Sequence, residues 1–168
     1  MRTRVTWLMF FIVLLLDQLT KNLAKNALEY SKSIIIIPDF FNLTLVFNRG
    51  AAFGIFSNFP DPYRHIALGI VTVVALFIVF CFMFKEAKND RLAQVCLGAI
   101  LGGAIGNLID RFYYDSVIDF LDFYIGKYHW PAFNVADSAI SVGVFFLAIK
   151  VLFVSNRKAA ESELNISS

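Results

Sequence analysis

Between Ile66 and Phe84 the chain carries no charged side chain, and the stretch is as long as the roughly 20 apolar residues a membrane-crossing helix needs. Inside a bilayer no water satisfies backbone N–H and C=O groups, so such a segment must close its hydrogen bonds internally, as a helix. Three further segments have comparable length and character: Val5 to Lys25, Leu92 to Ile109 and Ala132 to Val154. Hydrophobic residues make up 58% of the 168, phenylalanine alone supplies 19, and charged residues stand at 17%, against about 25% in soluble domains. A net charge of +2 without a basic block argues against nucleic acid as a partner. The expected fold is membrane all-α: a four-transmembrane-helix bundle with a small extracytoplasmic β-sheet and loop region. It forms a single integral membrane domain over residues 1–168, with spans at about 5–25, 66–84, 92–109 and 132–154 and outer loops 26–65 and 110–131.

Arg2 and Arg4 before Val5–Leu16 resemble the start of a secretory signal, but Asp17-Gln18-Leu19-Thr20-Lys21 follows where a small-residue cleavage site is needed. The first span is therefore expected to be retained. Lys and Arg are densest at the amino end, in the short loop with Lys85, Lys88 and Arg91, and in the tail with Arg157 and Lys158. By the positive-inside rule both termini are cytoplasmic and the two long loops lie outside. In that topology Asp17, the run Asn107 to Arg111, and Asn134 with Asp137 all fall at one level near the outer surface.

The outer loops carry strand signals. Ser33 to Ile37 is β-branched, and Phe41 to Phe47 alternates apolar with polar residues, the period of a half-buried strand. A small sheet resting on the membrane surface would deliver Asn48-Arg49-Gly50-Ala51-Ala52-Phe53-Gly54 to the same level, and Asn58 to Pro62 reads as a turn. Gly98, Ala99, Gly102, Gly103 and Gly106 give the third span a small-residue stripe that lets helices approach closely. Pro131 suits the first turn of the fourth span. The tail after Asn156 is polar and expected to fray.

Most catalytic chemistries are removed by inventory. His65 and His129 are isolated and belong to no His-Glu-x-x-His motif, which argues against zinc. Cys81 and Cys96 sit in apolar surroundings as inert thiols. No Gly-x-Ser-x-Gly is present. Ser138 is roughly 18 Å from Lys150 along one helix, so a Ser–Lys pair would need Lys21. The acids remain. Glu86 and Asp90 read as solvated cytoplasmic charges, and Asp110 with Arg111 as a local charge pair. Asp137 stands inside the apolar run Pro131–Ile140, where a carboxylate at membrane depth is a functional hypothesis by default. Asp119 would complete a pair able to share a proton and activate water. Asp115, Asp119 and Asp122 share a face if Asp115–Phe123 is helical, whereas Asp119 and Asp122 diverge in a strand; spacing leaves this open.

Five ordered motifs resemble the bacterial lipoprotein (type II) signal peptidases. They are Asp17–Lys21, Asn48–Phe53, Gly102–Arg111, Val117-Ile118-Asp119-Phe120 and Pro131–Ser138. The resemblance implies an intramembrane aspartyl protease with Asp119 and Asp137 as the catalytic pair. Asp17, Lys21, Asn48, Arg49, Asn107, Asp110, Arg111 and Asn134 are then substrate-binding or site-supporting. It further implies a diacylglyceryl-modified prolipoprotein as substrate, cut just before the lipidated cysteine, in the bacterial inner membrane near the outer leaflet. No cofactor and no metal are implied; membrane lipids are the other partner, and the enzyme is expected to act as a monomer. Asp122–Trp130 is less family-like.

The corresponding mechanism is direct attack by water, one aspartate ionised as base and the other protonated to polarise the carbonyl. Asn134 orients the Asp137 carboxylate or the substrate, or caps the fourth span. The rival reading is a small ion or proton channel or transporter lined by Asp17, Asp110 and Asp137.

Overall fold

The computed structural model describes residues 4–30, 32–50 and 90–166, with single positions between 60 and 81; side chains past Lys150, Leu152 apart, are not among them. The second expected span, the turn at Asn58–Pro62 and the stretch Ala51–Gly54 lie largely or wholly outside the described residues.

Helix α1 (Arg4–Ala27) covers the first expected span and is polarised the wrong way round for water. Its inward face carries Thr6, Val13, Asp17, Lys21 and Ala24, spaced at helical intervals and buried. Trp7, Leu8, Phe11, Leu15, Leu19 and Leu23 are exposed. Burying polar groups while presenting large apolar ones outward is stable only where the solvent is hydrocarbon. Helix α2 (Arg91–Tyr114) is the second described helix long and apolar enough to cross a membrane. Asp90, read as a solvated charge, instead caps it: its carboxylate accepts the Ala93 N–H at 2.7 Å and pairs with Lys150 at 2.8 Å. The helix runs five residues beyond the expected span, ending at Asp115 in the left-handed region with φ 52°, a conformation Asp adopts more readily than most residues.

Glycines set the helix spacing. An added methyl at Gly102 would sit 2.6 Å from the Phe10 carbonyl oxygen of α1, and one at Gly103 the same distance from that of Ala136. The backbone of α2 therefore lies directly against both neighbours.

Strands β1 (Ser33–Ile37), β2 (Phe41–Asn48), β3 (Val117–Ile125) and β4 (Tyr128–His129) form one antiparallel sheet in that order. β1 falls on the β-branched run and β2 on the alternating one. The open choice at Asp115–Phe123 resolves to strand, because β2 offers it a pairing edge, with Asn42 opposite Asp122 and Val46 opposite Asp119. Ile118, Phe120 and Leu45 pack with Ala24 and Leu28, which seats the sheet on the end of α1.

Helix α3 (Val135–Ile166) corrects two expectations. It begins at Val135, not just after Pro131, because Phe133 spends its backbone on β3: its carbonyl accepts from Phe120 and Leu121, and its N–H donates to Leu121. It also continues past Asn156 to Ile166, where fraying was expected.

Candidate active site

Asn134 is the first residue to place. At the start of α3 its Oδ1 accepts the Asp137 N–H at 2.9 Å, so it caps the helix that carries Asp137. A backbone N–H can only donate, which fixes the amide orientation and turns Nδ2 toward β3. There Nδ2 lies 2.7 Å from Asp119 Oδ1, 3.2 Å from the Ile118 carbonyl and 3.3 Å from Asn107 Oδ1. Capping and orienting, which the sequence left as alternatives, are the same residue's two ends.

Asp119 is 1% exposed. Its other oxygen accepts from Asn48 Nδ2 at 3.0 Å, and that amide is oriented by the Gly50 N–H on its Oδ1 at 2.9 Å. Burial pushes the Asp119 carboxyl up to about 7, and the neighbouring Asp137 charge pushes the same way, against the stabilising N–H donors of Asn48 and Asn134 and the more distant Lys21 charge. Asp137 in turn accepts from Asn107 Nδ2 at 2.8 Å and lines an open cleft of about 590 Å³ with Arg111, Trp130, Phe133 and Ser138.

Beneath the two aspartates lies a buried charge cluster. Lys21 Nζ is 2.8 Å from Asp17 Oδ2, from Asp110 Oδ2 and from Asn107 Oδ1, which uses all three ammonium donors. Gln18 Nε2 bridges Asp17 and Asp110 at 3.2 and 3.1 Å. Asp17 reaches α2 only because Gly106 has no side chain; a Cβ there would collide with its carboxylate. A buried ion pair is net favourable only when its remaining lone pairs are also satisfied, and the backbone supplies those partners. Asp17 Oδ1 accepts the Ala136 N–H at 2.9 Å and Asp110 Oδ2 the Ile118 N–H at 3.1 Å.

Nine of the ten residues singled out from sequence meet here. Asp110 pairs with Lys21 instead of Arg111, contrary to the local charge pair expected. The Arg111 guanidinium faces the carbonyls of Asn107 and Gly50 at 3.4 and 3.5 Å, and its buried Nε has no partner among the described residues. The tenth, Arg49, is exposed at the end of β2, and among the described residues no hydrogen bond or ion pair ties it to the cluster. Lys21 is fully engaged and Ser138 Oγ donates to the Asn134 carbonyl at 2.9 Å, which removes a Ser–Lys pair. Gln18 was overlooked, although an amide beside Asp17 inside a span was the available signal. His129 also differs from an isolated interfacial residue: its Nδ1 meets Asp122 at 2.9 Å, and its ring stacks on Tyr124. Asp122 thereby points away from Asp119, as a strand requires.

The sequence profile described as Signal peptidase (SPase) II matches residues 9–153. A lipoprotein signal peptidase of Syntrophus aciditrophicus is 42% identical over 148 residues, covering 88% of this chain and 92% of that protein. One from Desulforapulum autotrophicum is 46% identical over 143 residues, covering 84% and 88%. A solved bacterial membrane enzyme superposes with a TM-score of 0.81 at 33% identity, covering 91% of this chain and 90% of its own.

Proposed function

Since this chain belongs to the signal peptidase II family, the aspartic peptidases that remove signal peptides from prolipoproteins, we propose that Asp119 and Asp137 are its catalytic pair. The observation that carries the reading is Asn134, one buried side chain that donates to the Asp119 carboxylate and accepts the backbone N–H of Asp137, which lines the cleft. The pair holds one proton: the Asp137 charge acts on the buried Asp119 carboxyl, and two coupled carboxylates in a poorly hydrated site do not both ionise. The ionised member takes a proton from a water in the cleft while the protonated member polarises the scissile carbonyl. Water adds to that carbonyl, the C–N bond breaks, and the amine leaves with a proton from the pair. Neither a metal nor a covalent intermediate enters. Arg111, with Nε turned to no described partner, supplies a fixed positive charge for a substrate oxygen at the cleft.

The substrate in this reading is a prolipoprotein whose cysteine already bears a diacylglyceryl group, cut just before that cysteine. The chain spans the inner membrane four times as a monomer, both termini cytoplasmic, and the cleft opens near the outer leaflet, where the lipid and the signal helix hold the scissile bond. The exposed apolar face of α1 and the polar level shared by Asp17, Asp110 and Asp137 support this arrangement. Cleavage of a purified precursor, with and without prior lipidation, is the test. The lipidated form should be cut, and Asp119→Asn and Asp137→Asn should each abolish cleavage while inserting normally. Full activity in either variant would defeat the assignment.

A further inference from the structure

Two backbone N–H groups stand out among the partners of the buried charge cluster. Ala136, whose N–H binds Asp17, immediately precedes Asp137; Ile118, whose N–H binds Asp110, immediately precedes Asp119. Each catalytic aspartate therefore hangs from a neighbouring residue that a second, deeper aspartate holds. Both deeper aspartates are held by one atom, Lys21 Nζ, at 2.8 Å each. The third donor of that ammonium goes to Asn107, whose amide nitrogen meets Asp137 itself.

We propose that Lys21 is a positioning residue that sets the separation of the catalytic pair, through Asp17 to Ala136, through Asp110 to Ile118 and through Asn107 to Asp137. The inference rests on the reading of Asp119 and Asp137 as that pair. The three ties diverge from one nitrogen, pass through acceptors on α1 and α2, and end on two elements, β3 and α3. A shift of the ammonium moves both carboxyls relative to each other. The geometry needs a compact point charge with three diverging donors; a planar guanidinium, with the same charge, cannot address the three acceptors in the same way. Asp119 sits in a strand and Asp137 in a helix, joined besides by Asn134 and the Phe133 backbone, and water activation requires their carboxyls to hold a fixed gap.

The charged groups around the pair are Asp17 and Lys21 on α1, Asp110 and Arg111 on α2, Asp119 on β3 and Asp137 on α3. Lys21→Arg preserves this inventory and alters only the spacing. Lys21→Arg, Lys21→Met and Asp17→Asn, full-length and in detergent, would be assayed on a lipidated precursor across pH, with the folded fraction measured in parallel. Lys21→Arg should lower kcat on the order of a hundredfold, as a misplacement of about 1 Å does. KM should stay within about threefold, because Trp130, Pro131, Phe133 and Ile140, which give the cleft its apolar lining, are not tied to Lys21. The two limbs of its pH profile should draw together, since repulsion between the carboxyls weakens as they separate.

Asp17→Asn keeps an oxygen for the Ala136 N–H and loses the tie to Lys21; it should behave alike and decides the matter if Lys21→Arg does not fold. Parental kcat in the decisive variant overturns the proposal. So does a fall in activity that only matches a lost folded fraction, with the limbs unmoved. Asp119→Asn and Asp137→Asn in the same assay separate the failures. If both are inactive while Lys21→Arg is unimpaired, the pair stands and only the spacing role falls.

Discussion

Asn134 links the two aspartates because an amide offers an acceptor at one end and donors at the other, and each end meets an unambiguous partner. Its two roles can be parted. Serine caps a helix as well as asparagine but is too short to reach Asp119. Asn134→Ser should therefore keep the cap, cost about 1–3 kcal/mol through the lost buried donor, and lower kcat of the folded fraction on the order of a hundredfold; a thermal melt beside a cleavage assay checks both. Asp119 titrates upward, to about 7, chiefly through burial. The folded protein holds a proton there between roughly pH 4 and 7 that the unfolded chain has lost, so this group's contribution to stability declines as pH rises through that window. For catalysis the consequence is an alkaline limb: kcat/KM should fall by about tenfold per pH unit above about 7, as the pair loses its last proton. A profile flat to pH 9 would contradict it. The sequence singled out Asp137 because a carboxylate in an apolar run is costly, and Asp119 through the family resemblance, but it could not disclose their partners. Asp110 sits beside Arg111 in the chain and pairs with Lys21 across two helices, a choice made by packing.

At the scale of elements, strand β1 was legible from its β-branched run and β2 from its alternation. The strand at Val117–Ile125 was not, since its state depends on β2, distant in sequence. The start of α3 was misplaced for a related reason. Local signals favour a helix from Pro131, yet β3 captures the Phe133 backbone first. The glycine stripe was legible as close packing, but not what each glycine admits. Gly98 faces the Thr6 carbonyl and Gly106 faces the Asp17 carboxylate. Both Gly98→Ala and Gly106→Ala should destabilise the bundle. Only Gly106→Ala should change kcat by more than the lost folded fraction, because only it displaces the charge cluster. Equal specific activities in the two folded variants would show the glycines to be spacers alone.

Across the whole molecule, polarity is inverted: Asp17, Lys21, Asn107, Asp110, Asp119 and Asn134 are buried while Trp7, Leu8, Phe11 and Leu15 are exposed. Hydropathy disclosed the solvent, and loop charge predicts the orientation and, with it, the depth of the polar level. With Cys81 and Cys96 replaced by serine, a cysteine at Ser33 should react with an impermeant maleimide added outside intact cells. One at Ser155 should react only after permeabilisation; the reverse pattern would overturn the topology.

The account turns on two carboxyl groups sharing one proton and driving water straight onto the scissile carbonyl. A single turnover of lipidated precursor in oxygen-18 water, followed by mass spectrometry of both peptide and enzyme, examines that step. The new carboxylate of the released signal peptide should carry one heavy oxygen, with none in Asp119 or Asp137. An unlabelled signal peptide with heavy oxygen in either aspartate would mean a covalent intermediate, and the mechanism would be wrong.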